Sequence, residues 1–242
     1  MITKIAHITD LHLDDKISGD FTINARLNTS RIIDSIVNEK IKHVVITGDL
    51  GLSTSFEWLN NVLYKRELIV YYAMGNHDDI AIFKNREEYL NSLIKNKLIY
   101  NIEINKNNLL IFDTSSGEID SNQINKIGQV VKLKESCILF SHYPILDCGN
   151  TIMDQLFPLK NREVFIKYLN SNFSNLVYFC GHYHNSFENK SNNITQYVTP
   201  SASLQISKYA NNIEKENNLF GYRIIEIENT QLVNTELIMM KN

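Results

Sequence analysis

Glu67-Leu68-Ile69-Val70-Tyr71-Tyr72-Ala73-Met74-Gly75-Asn76-His77-Asp78 is a β-rich apolar run that stops at a glycine. Three side chains capable of metal binding or proton transfer follow it. A glycine at that point lets the backbone turn sharply. Taken alone, Gly75-Asn76 is ordinary turn chemistry, and His77-Asp78 reads equally as a solvated loop. The same pattern occurs twice upstream. Lys4-Ile5-Ala6-His7-Ile8-Thr9 is near-continuously apolar, reads as a strand buried on both faces, and ends at Asp10-Leu11-His12-Leu13. His43-Val44-Val45-Ile46-Thr47 ends at Gly48-Asp49. Between these runs, Leu27, Ile32, Ile33, Ile36 and Val37 recur near helical spacing, and a second helix is predicted over Phe56 to Lys65 with Phe56, Leu59 and Leu63 on one face. Strand, helix, strand, helix, strand with short connections implies parallel strands and right-handed crossovers. The polar loops after all three strands then lie at one edge of the sheet, where ligand sites of open α/β sheets form. Asp10, His12, Asp49, Asn76 and His77 are thereby brought together.

The pattern continues downstream. Glu87 to Leu98 reads as a helix. Ile99 to Ile104 and Leu109 to Asp113 read as strands joined by a hairpin at Asn105-Lys106-Asn107-Asn108. Gln123 to Val131 is a weaker helix, and Val164, Phe165, Tyr168 and Leu169 mark another. Ser136 to Phe140 is a strand ending at Ser141-His142-Tyr143-Pro144, and Leu176 to Cys180 is one ending at Gly181-His182-Tyr183-His184. From Ile194 to Met240 four strands are expected without a helix, closed by an antiparallel pair over Gly221 to Ile227 and Gln231 to Met239. With no linker or repeat, residues 1–242 are expected to form one domain.

Composition narrows the function classes. The chain has 242 residues, 43% apolar and 21% charged, with net charge −3, so it can bury a large core and lacks the basic surface for extended nucleic-acid binding. Cys137, Cys148 and Cys180 are odd in number and have no paired spacing, which argues for buried thiols and against a disulfide framework. Met1-Ile2-Thr3-Lys4-Ile5-Ala6 has no signal-peptide pattern, and the apolar runs are too short to span a membrane. A cytoplasmic protein with no membrane partner is expected; a homodimer is left open.

Five polar strand ends stand out: Asp10-x-His12, Gly48-Asp49, Asn76-His77-Asp78, His142 and His182-x-His184. They hold most of the seven histidines. A lone histidine at a strand end is more often a packed or solvated residue than a ligand. Five such ends in one alternating α/β chain are harder to attribute to accident. Asp10, His12, Asp49, Asn76, His142, His182 and His184 supply more donors than one ion takes, about six at most. They point to two metals with one carboxylate bridging. Mixed His, Asp and Asn ligation without thiolate suits divalent Mn, Fe, Zn or Co. Two such ions about 3.5–4 Å apart clamp phosphoryl oxygens and generate a nucleophile from water.

These motifs resemble the calcineurin-like metallophosphoesterase superfamily, whose signature is D-x-H, GD, GNH(D/E), H and GH-x-H in that order. The resemblance covers nearly the whole chain. It implies a four-layer α/β/β/α sandwich with two mixed sheets. Asp10, His12 and His184 would hold one metal, Asn76, His142 and His182 the other, and Asp49 would bridge them. His77 would stabilise the transition state and protonate the leaving oxygen, a role suited to an imidazole. Asp78 would orient that imidazole or cap the turn. A finer similarity lies in Tyr197-Val198-Thr199-Pro200-Ser201-Ala202-Ser203-Leu204-Gln205 and Phe220-Gly221-Tyr222-Arg223, which look like segments of bacterial class III cyclic nucleotide phosphodiesterases. In that subgroup His12, Asn76 and His77 would face the substrate phosphate. Tyr143 and Tyr183 could stack on a nucleobase, though packing is their plainer role. The activity implied is hydrolysis of a small phosphodiester, first a 3′,5′-cyclic nucleotide such as cAMP, by a metal-bridging hydroxide with His77 as general acid. The alternatives are phosphomonoester, nucleotide or lipid-linked pyrophosphate hydrolysis, and a non-catalytic scaffold of the same fold. Leu50-Gly51 after Asp49, in place of the Arg-Gly of protein Ser/Thr phosphatases, disfavours that branch. So does His77 for the lipid A pathway hydrolases, which usually have Arg there. Nuclease members usually add a DNA-capping region, for which this chain has little room.

Overall fold

The computed structural model describes residues 1–19, 23–79, 99–130, 136–216 and 218–242. The helix expected over 87–98 lies outside them. In chain order the elements are β1 (Thr3–Ile8), α1 (Lys16–Gly19), α2 (Ala25–Asn38), β2 (His43–Thr47), α3 (Ser53–Lys65), β3 (Ile69–Ala73), β4 (Ile99–Ile104) and β5 (Asn107–Phe112). They continue with α4 (Ser121–Val130), β6 (Cys137–Phe140), α5 (Ile152–Leu156), α6 (Arg162–Asn172), β7 (Leu176–Cys180), β8 (Phe187–Ser191), β9 (Ile194–Val198), β10 (Gln205–Ile206), β11 (Lys215–Glu216), β12 (Leu219–Glu228) and β13 (Gln231–Lys241).

Two mixed sheets carry the fold, one ordered β13-β12-β1-β2-β3 and the other β4-β5-β6-β7-β9-β8. β1, β2 and β3 run parallel, as the alternation requires, and β12 and β13 close that sheet antiparallel. In the second sheet β5, β6, β7 and β9 are parallel. Period-two alternation sends successive side chains to opposite faces. Val45 therefore faces the second sheet, in a cluster with Ile5, Ile225, Phe140 and Phe179. Val44 and Ile46 face outward onto Ile32, Ile33 and Ile36 of α2 and onto Phe56, Leu59 and Leu63 of α3. In β7, Val177 and Phe179 point between the sheets, whereas Leu176, Tyr178 and Cys180 pack outward with Ile124 and Ile127 of α4 and Phe165 and Leu169 of α6. The result is the four-layer α/β/β/α sandwich.

Three details differ from expectation. On α2, Leu27 and Val37 are 53% and 41% exposed, while Ile32, Ile33 and Ile36 are fully buried. Leu27 precedes Ile36 by nine residues, which is about two and a half turns and hence the opposite face. The hairpin between β4 and β5 is a two-residue loop, Asn105-Lys106, with φ of 51° and 68°. Positive φ at both central positions is the type I′ requirement, which asparagine tolerates. Finally, the described residues from Ile194 onward hold five strands, and β8 precedes them. β8 is the polar sequence Phe-Glu-Asn-Lys-Ser at a sheet edge; an edge strand needs no apolar alternation and is kept soluble by charge. Among the described residues no helix is long and apolar enough to cross a membrane.

Candidate metal centre

All five polar strand ends converge where the C-terminal edges of the two sheets meet. Asp10, His12, Asp49 and His184 present ligand atoms within 4.8 Å of one another, and Asp49, His142 and His182 form a second such group. Asp49 belongs to both. Between the groups, His142 Nε2 lies 3.4 Å from Asp49 Oδ2, and His12 Nε2 lies 3.7 Å from the same oxygen. Asn76 Oδ1 is 3.1 Å from His142 Nε2, which places Asn76 beside the second group. Every residue of the two groups is buried, whereas Asn76 and His77 are exposed at the rim.

The backbone that presents these side chains is unusual. Asp10, His12, Asp49, His182 and His184 all have positive φ, between 47° and 67°. Such conformations cost energy in a non-glycine residue and persist only where surrounding bonds fix them. Here Asp10 N–H donates to Gly48 O at 3.0 Å and His12 N–H to Asp49 O at 2.8 Å. The Asp10 carbonyl accepts from Ser201 Oγ at 2.9 Å and Ser203 Oγ at 3.0 Å. Asp10 Oδ2 accepts from Thr9 Oγ1 at 2.9 Å and from His182 N–H at 3.0 Å. Gly75 has no positive φ; its reason is space. A Cβ there would stand 2.1 Å from Asp49 Oδ1 and 2.4 Å from Asp49 N.

Each imidazole is oriented through its far nitrogen. His12 Nδ1 bonds Asp15 Oδ2 at 2.7 Å, His142 Nδ1 bonds the Thr47 carbonyl at 2.6 Å, and His184 Nδ1 bonds the Leu204 carbonyl at 3.1 Å. These acceptors fix the Nδ1–H tautomer, so each Nε2 offers a lone pair to the centre. His182 is reversed: its Nε2 donates to the Phe157 carbonyl at 3.3 Å, leaving Nδ1. The donor set then requires a cation. His12 Nε2 and His184 Nε2 are 3.1 Å apart, and two lone pairs cannot face each other at that distance without a proton or metal between them. Asp10 Oδ1 is buried with no hydrogen-bond partner, 3.4 Å from His184 Nε2 and 4.0 Å from His142 Nε2. An unpartnered buried carboxylate oxygen is costly, and a bound cation relieves it. The residues therefore fit two divalent metal ions.

Electrostatics of the metal-free chain agree. Burial would raise the pKa of Asp49, but the imidazoles of His142, His12 and His77 outweigh it and hold the carboxyl well below the usual range. His142 is buried too, yet Asp49, Asp10 and the Thr47 carbonyl lift it to about 9. His182 and His184 are pushed well down, first by burial and then by neighbouring imidazoles. The extra proton favoured on His142 stands where metal charge would otherwise sit.

His77 and Asp78 sit differently from each other. The His77 N–H donates to Asp49 Oδ1 at 2.9 Å, and its ring lies edge-on to His12 with centroids 5.5 Å apart. The Asp78 carboxylate accepts from the backbone N–H of Asp49 and of Gly75, both at 2.8 Å, and of Leu50 at 2.7 Å. It thus ties the turn after β2 to the turn after β3. Tyr143 and Tyr183 are 7% and 1% exposed, and the Tyr143 ring packs on His182 with centroids 3.8 Å apart.

Sequence reasoning missed Asp15, although its place three residues after His12 was visible. It also missed the orienting carbonyls of Thr47, Leu204 and Phe157, which no side-chain pattern encodes. Ser201 and Ser203 were noted only for their resemblance, not as supports of Asp10.

Residues 3–186 match the family model for calcineurin-like phosphoesterases. A probable cyclic nucleotide phosphodiesterase of Fibrobacter succinogenes is 27% identical, over 85% of this chain and 82% of its own length. A 3′,5′-cyclic-nucleotide phosphodiesterase of Nostoc sp. is 23% identical over 93% of this chain and 87% of its own length. Among solved structures, a dimetal phosphatase from Danio rerio shares the fold with a TM-score of 0.63 at 12% identity, covering 99% of this chain and 98% of that one. With the family model spanning most of the chain, the protein belongs to the calcineurin-like phosphoesterases.

Proposed function

We propose that this chain is a metal-dependent phosphodiesterase acting on small phosphodiesters, with a 3′,5′-cyclic nucleotide as first candidate. One observation carries the reading: a single carboxylate, Asp49, belongs to both metal-ligand groups, and its second oxygen accepts the N–H of His77. In this scheme Asp10, His12 and His184 hold one ion, Asn76, His142 and His182 the other, and Asp49 both. Two divalent cations held there supply charge against the phosphoryl oxygens and a water acidified enough to attack phosphorus. The chain supplies the rest. His12 and Asn76 reach the phosphate from the metal side. His77, anchored by its backbone at the rim, carries the proton for the departing oxygen. Asp78 acts through the turns it ties rather than on the substrate. The cyclic-nucleotide assignment draws on the names of the relatives from Fibrobacter succinogenes and Nostoc sp.. It draws also on the Thr199-Pro200-Ser201 segment, whose Ser201 hydroxyl supports Asp10. Residues 1–242 act as one domain in this reading. Three buried free thiols suit a reducing compartment such as the cytoplasm.

The test is a substrate panel with Mn²⁺ supplied: cyclic nucleotides, a generic aryl phosphodiester and an aryl phosphomonoester. The expected order places the diesters first. A strong preference for the monoester sinks the phosphodiesterase assignment.

A further inference from the structure

Beside the two ligand groups lies a cavity of about 150 Å³. Asp49, Asn76, His77, His182 and His184 line it on the polar side. Apart from Lys215, the remaining wall is apolar: Ile17, Met153, Phe157, Leu204, Ile206 and Ile213. Two elements outside both sheets build most of it. The first is the end of α5. Phe157 N–H donates to Met153 O at 2.9 Å, and the Phe157 carbonyl accepts from His182 Nε2. The backbone of Phe157 is thus tied to the metal-ligand group, while the residue as a whole stays 44% exposed with its ring edge-on to the His182 ring at 6.5 Å. The second is the ribbon β10–β11, which pairs Gln205 with Glu216 and Ile206 with Lys215 and joins neither sheet. Ile206 N–H donates to His184 O at 2.8 Å, and Asn185 Nδ2 donates to Ile206 O at 2.7 Å. The ribbon is therefore hung from the His182-x-His184 turn. It carries Ile213, 40% exposed, into the same cavity.

Large apolar side chains left half in water beside polar ligand atoms are the makings of a binding pocket. We infer that this wall is the seat of the substrate's organic group, and that Phe157 and Ile213 are specificity-determining residues that select a flat, apolar-faced substituent on phosphorus over a small one. The inference rests on the phosphoesterase reading above. That reading concerns the metal side of the cavity; this one concerns the opposite side.

Phosphonates with one organic group separate the two. Phenylphosphonate and methylphosphonate present the same anion to the metals and differ only in what meets the wall. Calorimetric titration of the full metal-loaded chain gives both dissociation constants without turnover. Phenylphosphonate should bind about 10-fold tighter or better, the scale of a pocket contact of this size. Phe157→Ala and, independently, Ile213→Ser should each bring the ratio of the two constants toward one. Phe157→Leu should retain part of it. Any substitution at 157 keeps the carbonyl that holds His182, and metal content by mass spectrometry verifies each variant. A ratio near one in the parent chain, or a ratio unmoved by both substitutions, overturns the inference alone. Binding of neither phosphonate removes the phosphoesterase reading, and this inference with it.

Discussion

Replacing Asp78 by asparagine separates the two roles that the Gly75-Asn76-His77-Asp78 stretch left open. The carboxylate accepts three backbone N–H bonds, from Asp49 and Gly75 at Oδ2 and from Leu50 at Oδ1. An amide has one oxygen, so in either orientation its NH₂ faces a backbone donor. The cheaper orientation keeps oxygen at the Oδ2 position and leaves the Leu50 N–H without an acceptor, a loss of about 1–3 kcal/mol. The two surviving bonds lose their charge assistance, about 1 kcal/mol each. Destabilisation of the metal-loaded chain should thus total about 3–5 kcal/mol. In the chelated chain the figure should be smaller. There burial and then the negative charge of Asp49 push Asp78 up to about 7, and the amide relieves that repulsion. Denaturant titration of Asp78→Asn with and without metal reads both effects, with metal content measured alongside. Turnover should fall in step with metal lost. The reasoning fails if the variant keeps its stability and its metal, yet loses turnover selectively on esters with poor leaving groups. That outcome would assign Asp78 to the His77 ring.

Three further outcomes are expected. Asp49→Asn removes the carboxylate common to both groups; bound metal should drop below two ions per chain and hydrolysis should fall at least 100-fold, and unchanged activity refutes a dinuclear centre. His77→Ala should retain both metals and lower turnover by about 10²–10⁴-fold for poor leaving groups but far less for p-nitrophenolate; equal losses across leaving groups refute the proton-donor role. His7 is held neutral, well below its ordinary range, first by burial and then by Arg223, while its ring bonds Thr199 Oγ1 and Thr47 Oγ1. The unfolded chain binds that proton below about pH 6.5 and the folded chain does not, so stability should fall as pH drops below that value, by up to about 1.4 kcal/mol per unit from this residue. Parallel denaturation series of the parent and His7→Gln between pH 7 and 5 should differ by that slope; identical slopes refute the assignment.

The sequence showed most clearly what side chains encode by alternation and stopping points. Ile5, Val45 and Val177 lie in apolar runs that end in a chemistry-bearing residue, and each run is a strand. β8 was invisible because Phe187-Glu188-Asn189-Lys190-Ser191 sits at an edge, where solvent exposure erases the pattern. The ligands themselves were legible because only a few residue types can hold a metal. Their orientation was not, since the acceptors for His142, His182 and His184 are main-chain carbonyls that any residue could supply. Gly75 illustrates a third limit. Its identity was legible and its reason was not: it makes room for Asp49, a residue 26 positions earlier that lies against it only in the folded sheet.

The clamp of Ser201 and Ser203 on the Asp10 carbonyl has a consequence for the order of assembly. Asp10 precedes the two serines that steady its backbone by 191 and 193 positions, and its partner His184 likewise lies far downstream. β1 likewise waits for β12 at Leu219–Glu228 before its second edge is covered. Contacts so distant in sequence form late. The group of Asp10, His12, Asp49 and His184 is therefore complete and supported only once the segment through Ser203 is present, and a chain cut short before His184 lacks that ligand and both serines.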